Sequence, residues 1–210
     1  SLGGIIAGAY ATGIPLSEIE EHALKLSHVK ELVKLVDLKP PRKGVMEGER
    51  IKEFLEQLFP QGLQMEDTRI PLAINAVDLL TGREVTLTQG PLCPAIMATC
   101  AVPGIFPPVM IDGRPLVDGG VLNNLPIKQV VDLGAGFIIA VNAQIDPRDE
   151  DEIHQIPVKV GLPLPEYVMD LYWAGFLMVS RLAHLQLDQF PPDVYIYPRL
   201  PADINMFFGF

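Results

Sequence analysis

Cysteine is scarce in this sequence: there are two in 210 residues, Cys93 and Cys100, seven positions apart in an apolar segment. Two cysteines make neither a disulfide framework nor a Cys-based zinc site, so a reducing compartment, the cytoplasm, is the default. Positive charge is also thin. Sixteen Lys and Arg stand against 26 Asp and Glu, a net charge of −10, and the densest basic stretch, Lys39 to Lys43, holds three cations and two prolines. A surface that tracks phosphates needs clustered cations, which argues against nucleic acid as a partner. No apolar run has the character of a membrane span. The longest uncharged stretch, Val85 to Ile111, carries five prolines and two glycines, which a spanning helix does not accommodate. The apolar start, Ser1 to Leu16, lacks the positive n-region of a signal peptide. Internal repeats and low-complexity tracts are missing too.

What remains is the make-up of a folded domain, 49% hydrophobic and 20% charged over a length that suits one domain. Leu2 to Thr12 is rich in Gly and Ala and closes on Gly13, a good residue to follow a helix, with Pro15 beyond. Ser17 is placed to cap a second helix running to about Leu26. Short helices are expected at Val29 to Val36 and Arg50 to Phe59, the latter amphipathic and stopped by Pro60. Leu72 to Val77 and Glu84 to Thr88 read as strands around the turn Thr81-Gly82. Leu92 to Cys100 reads as a buried helix, and Asp112-Gly113 as a hairpin turn between Val109 to Ile111 and Pro115 to Val117. A helix over Ile127 to Leu133 ends at Gly134. Phe137 to Val141 is an apolar strand of buried type, Pro163 to Leu187 holds a long helix, and Val194 to Tyr197 is a last strand. Helices alternating with apolar strands point to an α/β layered domain.

Two motifs carry candidate chemistry. Ser1-Leu2-Gly3-Gly4 places a serine at the mouth of a small-residue helix, either as an ordinary N-cap or as the second half of a nucleophile elbow. In an elbow the sharp turn lifts Oγ clear of the sheet. Gly3 avoids a clash, and the helix N-terminus supplies partial positive charge. The second motif runs from Val117 through Asp118-Gly119-Gly120 to Asn123-Asn124-Leu125-Pro126. Asp118 ends an apolar strand and enters a glycine turn, where it either bonds nearby backbone or presents its carboxylate. Between them lies the Pro-rich block Ala98-Thr99-Cys100-Ala101-Val102-Pro103-Gly104-Ile105-Phe106-Pro107-Pro108-Val109. No histidine sits in a Gly-framed turn, and His22, His28, His154 and His184 read as surface or capping residues. The aromatic stripe around Tyr167, Leu171, Tyr172, Trp173, Phe176 and Leu177 reads as core packing at helical spacing.

Taken in order, S-x-G-G at Ser1, the block from Ala98 and V-D-G-G-x-x-N-N-L-P from Val117 resemble the patatin-like phospholipases. The bacterial branch related to neuropathy target esterase is the nearest in character. The resemblance spans roughly Ser1 to Asn142. It implies a three-layer α/β/α domain with a mixed, mostly parallel central sheet. It also implies a serine acyl hydrolase acting on carboxylic esters of lipids with no metal or organic cofactor. Ser1 falls on the family's nucleophile and Asp118 on the aspartate that serves as base, with Gly3, Gly119 and Gly120 supporting elbow and turn. The implied partners are a lipid or acyl-ester substrate and a transient membrane surface.

One departure shapes the expectation for the chain. The family's Gly-rich oxyanion loop and the strand that delivers the serine lie upstream of the elbow, and neither has a counterpart before Ser1. The sequence, which does not open on Met, is therefore expected to be a single domain over 1–210 lacking its N-terminal strands. Two alternatives stay open: a catalytically silent relative that binds lipid or protein, and a general esterase or thioesterase on the same scaffold.

Overall fold

The computed structural model describes residues 2–27, 48–143 and 166–198. The chain divides into two units, Ser1–Val121 and Leu122–Phe210. In the first, helix α1 (Leu2–Thr12) ends as its sequence directs. Gly13 takes φ +89°, its N–H donates to the Tyr10 carbonyl at 3.0 Å, and the Ile14 N–H donates to that of Ala9 at 3.1 Å. This is a Schellman motif, in which a left-handed glycine lets two terminal carbonyls be satisfied. Helix α2 (Leu16–Ser27) corrects one expectation, since Ser17 lies inside its first turn and not at its cap. Pro15 holds the position before the helix, its carbonyl accepting from the N–H groups of Glu18 and Ile19, both at 3.0 Å. Its fixed φ suits the entry to a helix and outweighs the serine's capping preference. The helix expected at Val29 to Val36 lies outside the described residues. Helices α3 (Glu49–Leu58) and α4 (Leu92–Cys100) fall where the sequence places them.

The strands of this unit are β1 (Ile74–Asp78), β2 (Arg83–Leu87), β3 (Val109–Ile111) and β4 (Arg114–Asp118), in the order β2-β1-β4-β3 with every pairing antiparallel. Both hairpins follow from their turn residues. Asp112 and Gly113 take φ +50° and +75°, the left-handed pair that a two-residue hairpin needs. In the β1–β2 turn Gly82 takes φ +64°, and the Leu80 N–H donates to Asp78 Oδ1 at 2.8 Å. That bond holds the Asp78 carboxyl below its ordinary value.

Register decides the faces, because directly opposed residues point to the same side. Ile74 opposes Leu87, Ala76 opposes both Val85 and Asp118, and Leu116 opposes Asp78 and Val109. One face therefore carries Ile74, Ala76, Leu87 and Leu116, all in the core with Ala9 and Ala11 of α1, Leu55 of α3 and Ala95 and Ile96 of α4. Asp118 belongs to this same helix-covered face.

The second unit holds α5 (Ile127–Asp132), β5 (Ile139–Val141), α6 (Glu166–Gln189) and β6 (Val194–Ile196), with β5 and β6 parallel. Its small core joins Leu125, Ile127, Ala140 and Ala183. The apolar run at Phe137 to Val141 reads as fully buried, yet Ala140 alone of β5 is enclosed while Ile139 and Val141 are exposed. An uninterrupted apolar run does not distinguish one covered face from two. Among the described side chains of α6 the enclosed positions are Ser180, Ala183 and His184, whereas Leu171 and Leu177, expected in the core, are exposed. The side chains of Tyr167, Tyr172, Trp173 and Phe176 lie outside the described residues. His184 is buried rather than superficial, its Nδ1 donating to the Ser180 carbonyl at 2.9 Å. His22 is half-buried and edge-on to Phe54; His28 and His154 are not among the described residues.

The α/β class expected from the sequence is what the structure shows. The pairings are mixed, antiparallel in the four-stranded sheet and parallel in β5–β6. Among the described residues they are not mostly parallel, because strands joined by two-residue and similarly tight turns must run antiparallel.

Helix α1 reaches the core through its glycines. A Cβ on Gly4 would stand 2.4 Å from Thr99 Cγ2 and 3.7 Å from Ile74 Cδ1, and one on Gly8 would stand 2.7 Å from Ile96 Cδ1. Two contacts one turn apart on each helix fix both the separation of α1 from α4 and its rotation. Gly8→Val should cost about 1–3 kcal/mol by overpacking. Combined with Ile96→Ala it should destabilise by less than the sum of the single changes; denaturant melts of the four proteins measure the coupling. The Asp78 turn has its own signature. A lowered carboxyl pKa contributes stability that is present above the ordinary carboxylate range and lost as pH falls through the lowered value. Asp78→Ala should therefore lower the melting temperature at neutral pH, with the gap to the parent narrowing on acidification.

Candidate active site

The site is assembled from the start of α1, the end of α4 and the end of β4. Leu2 is the first helical residue of α1, Gly3 lies in its exposed first turn, and Gly4 rests on Thr99 and Ile74. Ser1 lies outside the described residues, so the position of its side chain is not part of the geometry.

Helix α4 stops at Ala101, and the Pro-rich block folds into a tight loop. The Val102 N–H donates to the Cys100 carbonyl at 2.9 Å, the Phe106 N–H donates to that of Val102 at 3.0 Å, and Gly104 turns the chain at φ +84°. The Ala101 carbonyl accepts from the Asp118 N–H at 3.0 Å. This bond ties the second sequence block to the third.

Asp118 is the last residue of β4, an interior strand, and is half-buried. Its Oδ1 accepts from the Gly120 N–H at 2.8 Å, so the local turn role foreseen for an aspartate before glycine is present. The next three residues, Gly119–Val121, make a 3₁₀ turn. Gly119 is required for a reason other than its φ. A Cβ there would fall 2.5 Å from the Asn75 carbonyl oxygen and 2.8 Å from Asn75 Cγ, closer than real atoms approach. Gly120 serves through its N–H.

The Cys100 thiol is pushed up by burial and, further, by the Asp118 carboxylate. It stays protonated at neutral pH. Burial, with Glu56 adding to it, raises the Cys93 thiol as well. Asn123 and Asn124 belong to the second unit, where Asn123 is buried. Among the described residues no group of three or more His, Cys, Asp and Glu is arranged to hold a metal ion, and no helix is long and apolar enough to cross a membrane.

Sequence reading overlooked Asn75. It is the buried amide of β1, in contact with Gly119 from the opposite side of the sheet to Asp118. The available signal was a lone amide between Ile74 and Ala76-Val77, in a strand otherwise suited to burial.

Comparison with known proteins identifies the family. The sequence model of the patatin-like phospholipase family matches residues 1–131, from the start of α1 through the Asp-Gly-Gly turn. An NTE family protein of Mycobacterium tuberculosis is 33% identical over 142 residues, 68% of this chain and 39% of the relative. The patatin-like phospholipase domain-containing protein 7 of Rattus norvegicus is 27% identical over 157 residues, 73% of this chain and 11% of that one. Lysophospholipase NTE1 of Yarrowia lipolytica is 28% identical over 144 residues, 68% of this chain and 10% of that enzyme. The chain thus spans 39% of the length of the mycobacterial relative and about a tenth of the two larger ones. With a family match over more than half its length, the chain belongs to the patatin-like phospholipases.

Proposed function

We propose that this chain is the catalytic part of a serine acyl hydrolase that cleaves carboxylic esters of lipids, phospholipids among them, with Ser1 as nucleophile and Asp118 as base. One observation carries the reading. The register Ala76↔Asp118 puts the aspartate on the sheet face that α4 covers, and α1 packs on α4 with Gly4, in its first turn, against Thr99 and with room for no more than a Cβ before Ile74. The first turn of α1 and the residue ending β4 thereby lie toward the same end of β1, which supports pairing a nucleophile at Ser1 with Asp118. Family membership and a relative named as a lysophospholipase support the same chemistry.

In this reading Ser1 Oγ attacks the ester carbonyl as its proton passes to Asp118, and the N-terminal end of α1 favours the developing negative charge. Collapse of the tetrahedral species breaks the bond to the alcohol, which leaves with the proton held by Asp118. Water then gives its proton to Asp118, attacks the acyl-serine and releases the fatty acid, and the proton returns to Oγ. Ester-bearing lipids gather at membrane surfaces, so the proposal includes transient contact with one. The single-domain description over residues 1–210 is kept within it.

In the full-length protein, Ser1→Ala and Asp118→Asn should each reduce hydrolysis of a soluble acyl ester by roughly 10²–10⁴-fold with the thermal melt nearly unchanged. Labelling by a serine-directed phosphonate should disappear in Ser1→Ala. Retained turnover in Asp118→Asn would remove the base, and an unreactive parent protein would favour the silent, lipid-binding relative. Gly119→Ala is expected to lower both turnover and melting temperature, since the Asn75 backbone would have to shift.

A further inference from the structure

Strand β1 reads Ile74-Asn75-Ala76-Val77-Asp78 and is buried along its whole length. An amide in such a strand is an unfavourable choice unless something holds it there, because burying a polar group is costly without a compensating interaction. Its position shows what the residue bears on. Continuing the β1–β4 register one step beyond Ala76↔Asp118 sets Asn75 opposite Gly119, where β4 leaves the ladder for the 3₁₀ turn. Gly119 presses directly on Asn75, as the 2.5 Å and 2.8 Å approaches of its absent Cβ to the carbonyl oxygen and to Cγ record. Alternation puts the Asn75 side chain on the face away from Asp118. The carboxylate thus stands on one side of the turn and the amide bears on it from the other.

We propose that Asn75 is a positioning residue for Asp118, acting through Gly119. The inference rests on the reading of Asp118 as the base. Gly119 is joined to Asp118 by one peptide bond, and the Asp118 N–H is already fixed on Ala101. The rotation left to the carboxylate is then set by where Gly119 sits, and Asn75 sets that. Acting through Gly119, it keeps the base aimed at the helix-covered face.

The test uses the full-length protein, a soluble p-nitrophenyl acyl ester and a serine-directed phosphonate. Asn75→Leu, close in volume but without the amide, should lower kcat by up to about 10²-fold with KM and the melting temperature close to the parent's. In an Asp118→Asn background the same change should slow phosphonate labelling no further, because a residue acting through Asp118 has nothing left to act on. Full kcat in Asn75→Leu, or losses that simply add in the double variant, would overturn the proposal. Should Asn75→Leu fail to fold, Asn75→Ser takes its place. It leaves the strand polar but unfilled beneath Gly119, and parental kcat in that variant would equally count against positioning. The two readings separate cleanly. An inactive Asp118→Asn beside a fully active Asn75→Leu discards Asn75 alone, whereas an active Asp118→Asn discards the dyad and this inference with it.

Discussion

The contact between α1 and α4 is the constraint on which the first unit depends. At Gly4 and Gly8 there is no Cβ, and Thr99 and Ile96 fill the space it would occupy. The gain is dispersion and burial at close range, which falls away quickly with a small increase in separation. With α1 seated at two points a turn apart, its first turn has one available position over Ile74. The proposed nucleophile is connected to that turn. A looser contact, through alanine or valine, would leave the core roughly as apolar but let the helix slide.

A second constraint meets the first at Asp118. Its backbone pairs with Ala76 and bonds Ala101, while its carboxylate accepts from Gly120. The residue is thus strand end, tie to the Pro-rich loop and turn former at once. These roles are compatible with a catalytic one because they use the N–H and Oδ1 to hold the group still. A base that must accept a proton from a nearby hydroxyl benefits from being held before substrate arrives. The Pro-rich loop, with no regular structure of its own, contributes by anchoring that N–H.

Where the sequence was legible, a local rule decided the outcome. Asp112-Gly113 closes a hairpin because both residues tolerate a left-handed backbone, and Gly13 ends α1 for the same reason. The bounds of α4, Leu92 to Cys100, came directly from an apolar segment flanked by prolines. What was not legible needed knowledge of the neighbours. Ser17 and Pro15 both signal a helix start, and which prevails is a matter of one residue of register. The strand at Ile139 to Val141 and the exposed Leu171 and Leu177 of α6 look like core from composition alone. Asn75 is meaningful only once β4 is laid beside β1. The motif residues of the site were found by resemblance, but the reason Gly119 must be glycine is a close approach from another strand, and no spacing rule encodes it.

The glycines of this unit differ in what opposes them, and that difference bears on how the sequence can drift. Gly4 and Gly8 face the ends of side chains, Thr99 Cγ2 and Ile96 Cδ1. A larger residue at either position can be answered by a smaller one across the contact, so each pair is free to exchange volume over time. Gly119 faces the carbonyl carbon and oxygen of Asn75, atoms that every amino acid possesses. No replacement at position 75 makes room for a side chain at 119. The first two positions can therefore covary with their neighbours, while the third is locked whatever its neighbour becomes.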